Sequence, residues 1–386
     1  MNRMRCGSRR RPPVCVLLLS FIALPNLCRA LNVLVVGGSG RVGGSTVRWL
    51  KTLSDRRQDA VEIAVGGRRR ESFEAAVRNK IVPRTTPYIQ FDLEDPVAVS
   101  TALQDWKASD DECLLVHTAG PFQGRTDPTL LRACIDMQIP YVDVCDEWDL
   151  AEKSKADLHQ KAVDNQVPAI VSSGIWPGVS ALMAAEGVDQ LKSQSSDESN
   201  VKTESIDFSF FTAGTGNAGP TIVSATFLLL ATPVITFING KQVDVEPWTE
   251  KRSIDFGPGV GTKPVWLLDN PDVPTTALSL GKPNCQSRFG TDPNWSQVGA
   301  TNAMRVDVTV NDGGNRKTKT LRIAHHDLEQ CVGLATAAFA LEVADSMREK
   351  SSATVQPGVY YPVELGNEAR RNILKAAKED AFVYEI

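Results

Sequence analysis

Leu31-Asn32-Val33-Leu34-Val35-Val36-Gly37-Gly38-Ser39-Gly40-Arg41-Val42-Gly43-Gly44 is the stretch that decides the fold. Its first six residues read as a strand with both faces covered. The glycines then follow at once, and an amphipathic helix continues through Leu50. Gly38-x-Gly40-x-x-Gly43 therefore stands in the strand–turn–helix setting that a dinucleotide fingerprint requires. On this reading Gly38 permits the tight turn, Gly40 lets backbone approach a pyrophosphate, and Gly43 lets the helix pack on the strand. The helix N-terminus, with Ser39, Arg41 and Val42 in the loop, faces the phosphates.

Outward from this stretch, apolar β-type runs recur at residues 61–65, 88–91, 113–117, 141–144 and 169–171, spaced widely enough for crossover helices. Such runs belong in a parallel sheet covered on both sides. The expected class is α/β, with a doubly wound parallel Rossmann sheet over residues 31–175. Gly174, Pro177 and Gly178 then punctuate the chain, and residues 180–190 read as a helix. Residues 192–205 form a polar, Ser-rich loop. Runs at 206–211, 234–238, 277–280, 304–310 and 319–324 read as a mostly antiparallel sheet in a second, α+β domain over 176–326, for substrate or dimerisation. The apolar stretch 222–238 is broken by Ser224, Thr226, Thr232, Pro233 and Thr236, so it reads as a buried helix entering a strand rather than a membrane span. Asp327 opens a helix to about Met347 and another follows Gly366; residues 327–386 are expected to pack back on the first domain as helices.

The 386 residues, 42% hydrophobic and 23% charged, suffice for two cores. Residues 1–30 differ from the rest: five arginines precede an uncharged apolar run from Val14 to Leu24, the grammar of a cleaved leader. The formal net charge is −4, and loss of the leader would remove six basic residues and no acidic one. An acidic body argues against nucleic acid as a partner. Outside the leader the cysteines are Cys113, Cys134, Cys145, Cys285 and Cys331, an odd and scattered set without a CxxC pair. That is neither a disulfide framework nor a zinc site, and no metal is expected. It fits a reducing compartment, so an organellar address, plastid or endomembrane, reached through the leader is expected rather than secretion.

The second strand ends Gly66-Gly67-Arg68-Arg69-Arg70, where folds that prefer NAD carry an acid for the ribose diol. A guanidinium suits a 2′-phosphate instead, so Arg68, helped by Arg69 and Arg41, points to NADP as the cofactor. The competing reading is a solvated basic start to the next helix. Asp92 after the third strand is read as bordering the adenine or as a turn aspartate. The fourth strand ends in His117-Thr118-Ala119-Gly120-Pro121-Phe122, small residues that could lie along the nicotinamide, with Pro121 and Phe122 walling its pocket or simply turning the chain. The fifth delivers Asp143, Cys145 and Asp146 to the same edge, and alternation would aim Asp143 and Cys145 to one side. A hydride transfer also needs a proton carrier, for which Asp143 and His117 come first, then Cys145 and Asp146. The alternatives are a helix cap for Asp143, a packed strand-end histidine and a core cysteine.

These residues resemble the saccharopine dehydrogenase-like family in its NADP-binding domain. The resemblance lies in the glycine loop with Arg68, in Ala119-Gly120-Pro121-Phe122, in Cys134 followed by Tyr141-Val142-Asp143, and in Gly174-Ile175-Trp176-Pro177-Gly178-Val179-Ser180. Thr212-Ala213-Gly214-Thr215-Gly216, Arg288-Phe289-Gly290-Thr291 and Pro357-Gly358-Val359-Tyr360-Tyr361-Pro362 resemble its branch in photosynthetic organisms and bacteria. The resemblance implies an oxidoreductase moving hydride between NADP(H) and a carbonyl or imine carbon of a small-molecule substrate. The alternative is a non-catalytic NADP(H)-binding protein that reports redox state. None of the five tyrosines has lysine four residues on, against a short-chain dehydrogenase, and Cys134 sits in an apolar helical context, against a thiol-dependent semialdehyde dehydrogenase. The second sheet is compatible with a homodimer.

Overall fold

The computed structural model describes residues 30–107, 112–214, 230–292, 300–348 and 351–386. The leader, residues 222–229 of the apolar stretch, and Thr215 and Gly216 lie outside these. Strand β1 (Leu31–Val36) pairs in parallel with β2 (Val61–Gly67) on one side and β4 (Cys113–His117) on the other. Its Leu31, Val33 and Val35 enter one apolar core and its Leu34 and Val36 another. This two-sided burial is why the strand is apolar from Val33 to Val36. Strand β3 (Tyr88–Gln90) flanks β2, while β5 (Tyr141–Asp143) and β6 (Pro168–Ile170) extend the sheet beyond β4. Helices α1 (Arg41–Arg57), α2 (Arg70–Arg78), α3 (Pro96–Trp106), α4 (Thr129–Asp136) and α5 (Trp148–Asp164) make the crossovers.

Helix α6 (Val179–Lys192) is buried almost all round because it lies under the second sheet. That sheet contains β7 (Val201–Ala213), β8 (Val234–Ile238), β9 (Lys241–Val245), β10 (Arg252–Asp255), β11 (Thr262–Leu267), β12 (Asn284–Asp292), β13 (Thr301–Asp312) and β14 (Asn315–His325). Every pairing in it is antiparallel except that of β12 with β7. Between β11 and β12 stands helix α7 (Asp272–Ser279), where the sequence reading expects a strand at 277–280. The helix wins because Asn270 accepts the Asp272 N–H at 2.8 Å, a local turn that leads the chain into the first helical turn. The polar loop after α6 is also shorter than expected, since β7 begins at Val201.

Helix α8 (Leu328–Arg348) crosses α1 and packs on β4, β5 and β6, and α9 (Asn367–Ala377) packs on α8 and α6. Residues 327–386 are not helices alone. Strand β15 (Gly358–Tyr360) pairs with β6, and β16 (Ala381–Glu385) pairs with β14. The parallel sheet therefore has seven strands among the described residues, ordered β15-β6-β5-β4-β1-β2-β3. No described helix is long and apolar enough to cross a membrane.

The α1–α8 crossing is close enough to make a test. A β-carbon added to Gly333 would lie 2.4 Å from Ser45 Oγ and 2.7 Å from the Ser45 backbone carbon. Because backbone stands on the far side, neither helix can yield cheaply. Gly333→Ala is expected to destabilise the protein by about 1–3 kcal/mol, read as a lower midpoint in urea unfolding; an unchanged midpoint would mean that the helices separate without cost.

Candidate active site

The glycine turn after β1 and the exit of β4 form one packed unit. Gly37 has φ +83°, and a β-carbon on it would sit 2.7 Å from the Ala119 backbone. The tight turn thus rests on Gly37, whereas the sequence reading gave that role to Gly38. Gly38 is needed for packing, since its β-carbon would meet Val65 at 2.8 Å. Gly43 allows no side chain either, with Gly37 O at 2.3 Å and Thr118 Oγ1 at 2.6 Å. Gly40 differs: it is exposed and would meet only Gly37 O, at 3.2 Å. It is the N-cap of α1, where no side chain satisfies the helix end and no acid lies in the first turn. The N–H groups of that turn, following half-buried Ser39, are left for an anion, so this loop fits a pyrophosphate.

Arg68 leaves the end of β2 with its side chain largely exposed, Nη1 3.9 Å from Asp92 Oδ2. An exposed pair this long is weak, so the guanidinium stays available to a phosphate. Asp92 also accepts the Glu94 N–H at 3.1 Å and so shapes a turn. Arg69 is the exposed N-cap of α2. Arg41 turns elsewhere: its Nη2 lies 2.8 Å from Glu329 Oε1 on α8, in a pair that engages the guanidinium offered above as a helper to Arg68. Sequence reasoning missed Glu329, which is 288 residues away and carries no local signal.

At the ends of β4 and β5, His117 and Asp143 are register partners. His117 is buried, its ring edge-on to Phe122, with Nδ1 2.9 Å from the Tyr141 hydroxyl. Burial, with Arg125 nearby, pushes its pKa down to about 3, so it is neutral at physiological pH and acts as packing. Phe122 packs on His117 and Cys145 inside the domain, which leaves only exposed Gly120 and Pro121, with half-buried Ala119, to line a cofactor path. Burial raises the Cys145 thiol well above its ordinary value, and its Sγ donates to the Glu147 carbonyl. It packs in the core with Phe122 and Leu150, the alternative given above to a proton carrier.

Asp143 is buried and caps no helix, since the N-cap of α5 is Glu147. Its Oδ1 accepts the N–H groups of Ser172 at 2.7 Å and Cys145 at 3.0 Å, tying the end of β5 to the turn after β6. The chain thus curls at Asp143 and strand alternation does not extend to Cys145. Desolvation pushes the Asp143 pKa up to about 6 against these bonds and that of Tyr141.

Between these strand ends and the second sheet lies a cavity of about 50 Å³. Asp146 reaches it from the loop after β5, Trp176 from the turn after β6, Phe210 from β7, Phe289 from β12 and Asp269 from the segment before α7. Trp176 stacks on Phe210 at 5.0 Å, and its indole N–H donates to Asn302 at 2.9 Å. Burial pushes both Asp146 and Asp269 up to about 6. Of the four residues offered above as proton carriers, only Asp146 lines this cavity. Asp269, Phe210 and Phe289 were not read as site residues, because only the tertiary fold brings their segments together. Among the described residues, no group of three or more His, Cys, Asp or Glu is placed to hold a metal.

Residues 33–170 match the family model described as the saccharopine dehydrogenase NADP binding domain. Among solved structures, the fold is similar to apo saccharopine dehydrogenase (L-Glu forming) from Saccharomyces cerevisiae, at 14% identity and a TM-score of 0.64, over 92% of this chain and 98% of that one. It is likewise similar to homospermidine synthase from Legionella pneumophila, solved in complex with NAD, at 9% identity and a TM-score of 0.65, over 93% of this chain and 92% of that one. No curated protein matches the chain.

Asp143 offers a test of structural against chemical roles. Asp143→Ala strands two buried N–H groups and is expected to cost about 2–5 kcal/mol in urea unfolding, whereas Asp143→Asn keeps an acceptor and costs less. A carboxyl with a raised folded pKa is destabilising when ionised: that cost is absent below about pH 4 and complete above about pH 6. Asp143→Asn should therefore lose less stability than the wild type as pH rises from 4 to 7. Parallel pH curves would show that the carboxyl is not strained by burial.

Proposed function

We propose that this chain, whose residues 33–170 match the saccharopine dehydrogenase NADP binding domain and whose fold is similar to those of saccharopine dehydrogenase and homospermidine synthase, is an oxidoreductase. It moves hydride between NADP(H) and a carbonyl or imine carbon of a small molecule held between its two sheets. The observation that carries this reading is the adjacency of two things along one sheet edge. The open glycine loop, in backbone contact with Ala119, occupies the ends of β1 and β4, and a cavity lined by Asp146 begins beside β5. Ligands of doubly wound sheets bind at this edge.

In this proposal the first turn of α1, beginning at Gly40, holds the pyrophosphate. Arg68, with Arg69, takes the 2′-phosphate, and Ala119, Gly120 and Pro121 run along the nicotinamide half. The bound dinucleotide supplies or accepts the hydride. Asp146 manages the accompanying proton: it lines the cavity, and a carboxyl with a pKa near 6 can exchange a proton close to neutral pH. Asp143 is a positioning residue. Its oxygen fixes Ser172, four residues before Trp176, and so sets the cavity wall. A second reading, a protein that binds NADP(H) and reports its redox state without turnover, draws support from the burial of His117, Asp143 and Cys145. Sustained NADPH oxidation with keto acid–amine pairs or aldehydes would remove it.

Calorimetric titration tests the cofactor assignment. NADPH is expected to bind at least about tenfold more tightly than NADH, a difference near 1.4 kcal/mol. Arg68→Ala should erase most of that preference. Gly40→Val should abolish binding of both nucleotides in a folded protein, since the branched side chain fills the open face of the loop. Equal affinities for the two nucleotides in the wild type would overturn the choice of NADP(H).

A further inference from the structure

The interdomain cavity carries a chemical signature of its own. Three aromatic rings, those of Trp176, Phe210 and Phe289, and two carboxyl groups, those of Asp146 and Asp269, line it, and no lysine, arginine or histidine does so among the described residues. Asp269 is held in place by the Ile235 N–H at 3.0 Å, and the charges of Glu147 and Asp244 reinforce the negative field around it. Trp176 is fixed on both sides, by its stack on Phe210 and by Asn302, which in turn donates to Cys331 Sγ at 3.1 Å. The rigid wall, the acids and the rings all favour the same sign of charge, because an aromatic face attracts cations and a buried carboxylate repels anions.

We infer that this cavity receives the protonated amine of an aliphatic amine substrate, with its ammonium group between Asp146 and Asp269 and its first methylenes against Trp176, Phe210 and Phe289. This rests on the reading above that a substrate is reduced or oxidised in the same cleft, and it narrows that substrate to one whose buried end is a cation. Size agrees with charge. A space of about 50 Å³ holds a few water-sized groups, enough for an ammonium and a short stem. A carboxylate placed there would face two acids, with no cation among the described lining residues to receive it. Any carboxylate of the substrate therefore lies outside this cavity.

Three four-carbon probes of nearly equal shape separate charge from size: n-butylammonium, butyrate and n-butanol. Their binding to the full chain is measured by ligand-detected NMR, with NADPH affinity measured in parallel. Butylammonium is expected to bind at least tenfold more tightly than either of the others, and Asp269→Asn to weaken it at least fivefold while leaving NADPH affinity within twofold of the wild type. Butyrate or butanol binding as tightly as butylammonium overturns the inference, as does an Asp269→Asn protein that retains full affinity for the amine. If that variant does not fold, the comparison of the three probes on the wild type decides alone. A wild type that fails to bind NADPH refutes the parent reading instead, and the probe series still reports on the cavity.

Discussion

The approach of the Gly37 turn to the exit of β4 is closer than any β-carbon permits, and the rest of the site follows from it. A parallel sheet must send each strand into a connection at the same edge, and neighbouring connections compete there for space. Here the turns after β1 and β4 resolve that competition by giving up side chains at Gly37 and Gly43 and by anchoring Thr118 Oγ1 on the Val36 carbonyl at 2.9 Å. Once the two turns are locked, Gly40 and the first turn of α1 are the surface left open. The loops after β5 and β6 are free to reach the second sheet, and the cavity forms where they meet it.

The fold was legible where the apolar runs are long and buried on both faces. Strands β1 and β4 read directly because four apolar residues run together in β1 after Asn32 and four precede His117 in β4. By contrast, β9 and β10 are exposed edge strands of mixed polarity, and β15 is three residues long, so none offers a periodic signal. The run at 277–280 misleads because a short apolar stretch fits either a helix or a strand. What decides is Asn270 and Pro271, which lie before the run and start a helix.

Legibility at the site follows the same division. The glycine loop and Arg68 are local features of a strand–turn–helix, and their positions follow from chain order alone. The fate of the acids does not. Asp143 and Asp146 are three residues apart, one ending β5 and the other in the loop after it, yet the first accepts two backbone N–H groups inside the protein and the second lines a cavity. The position of Ser172, brought in by the turn after β6, separates the roles. Both groups have raised pKa values from the same cause, loss of water, so perturbation alone does not distinguish a structural carboxyl from one that meets a ligand.

The two sheets also share a debt to the same late segment. Strand β15 completes the parallel sheet and β16 extends the antiparallel one, both from residues 358–385, after every other strand has been made. A ribosome adding about 5–20 residues per second therefore exposes β6 and β14 as open edges throughout the synthesis of α8, and neither sheet can be finished first as an independent unit. Unpaired edges are templates for pairing with other chains. Biogenesis of this protein thus passes through a stage in which two such edges are presented together, and shielding of the nascent chain matters more for it than for a protein whose domains close one after the other.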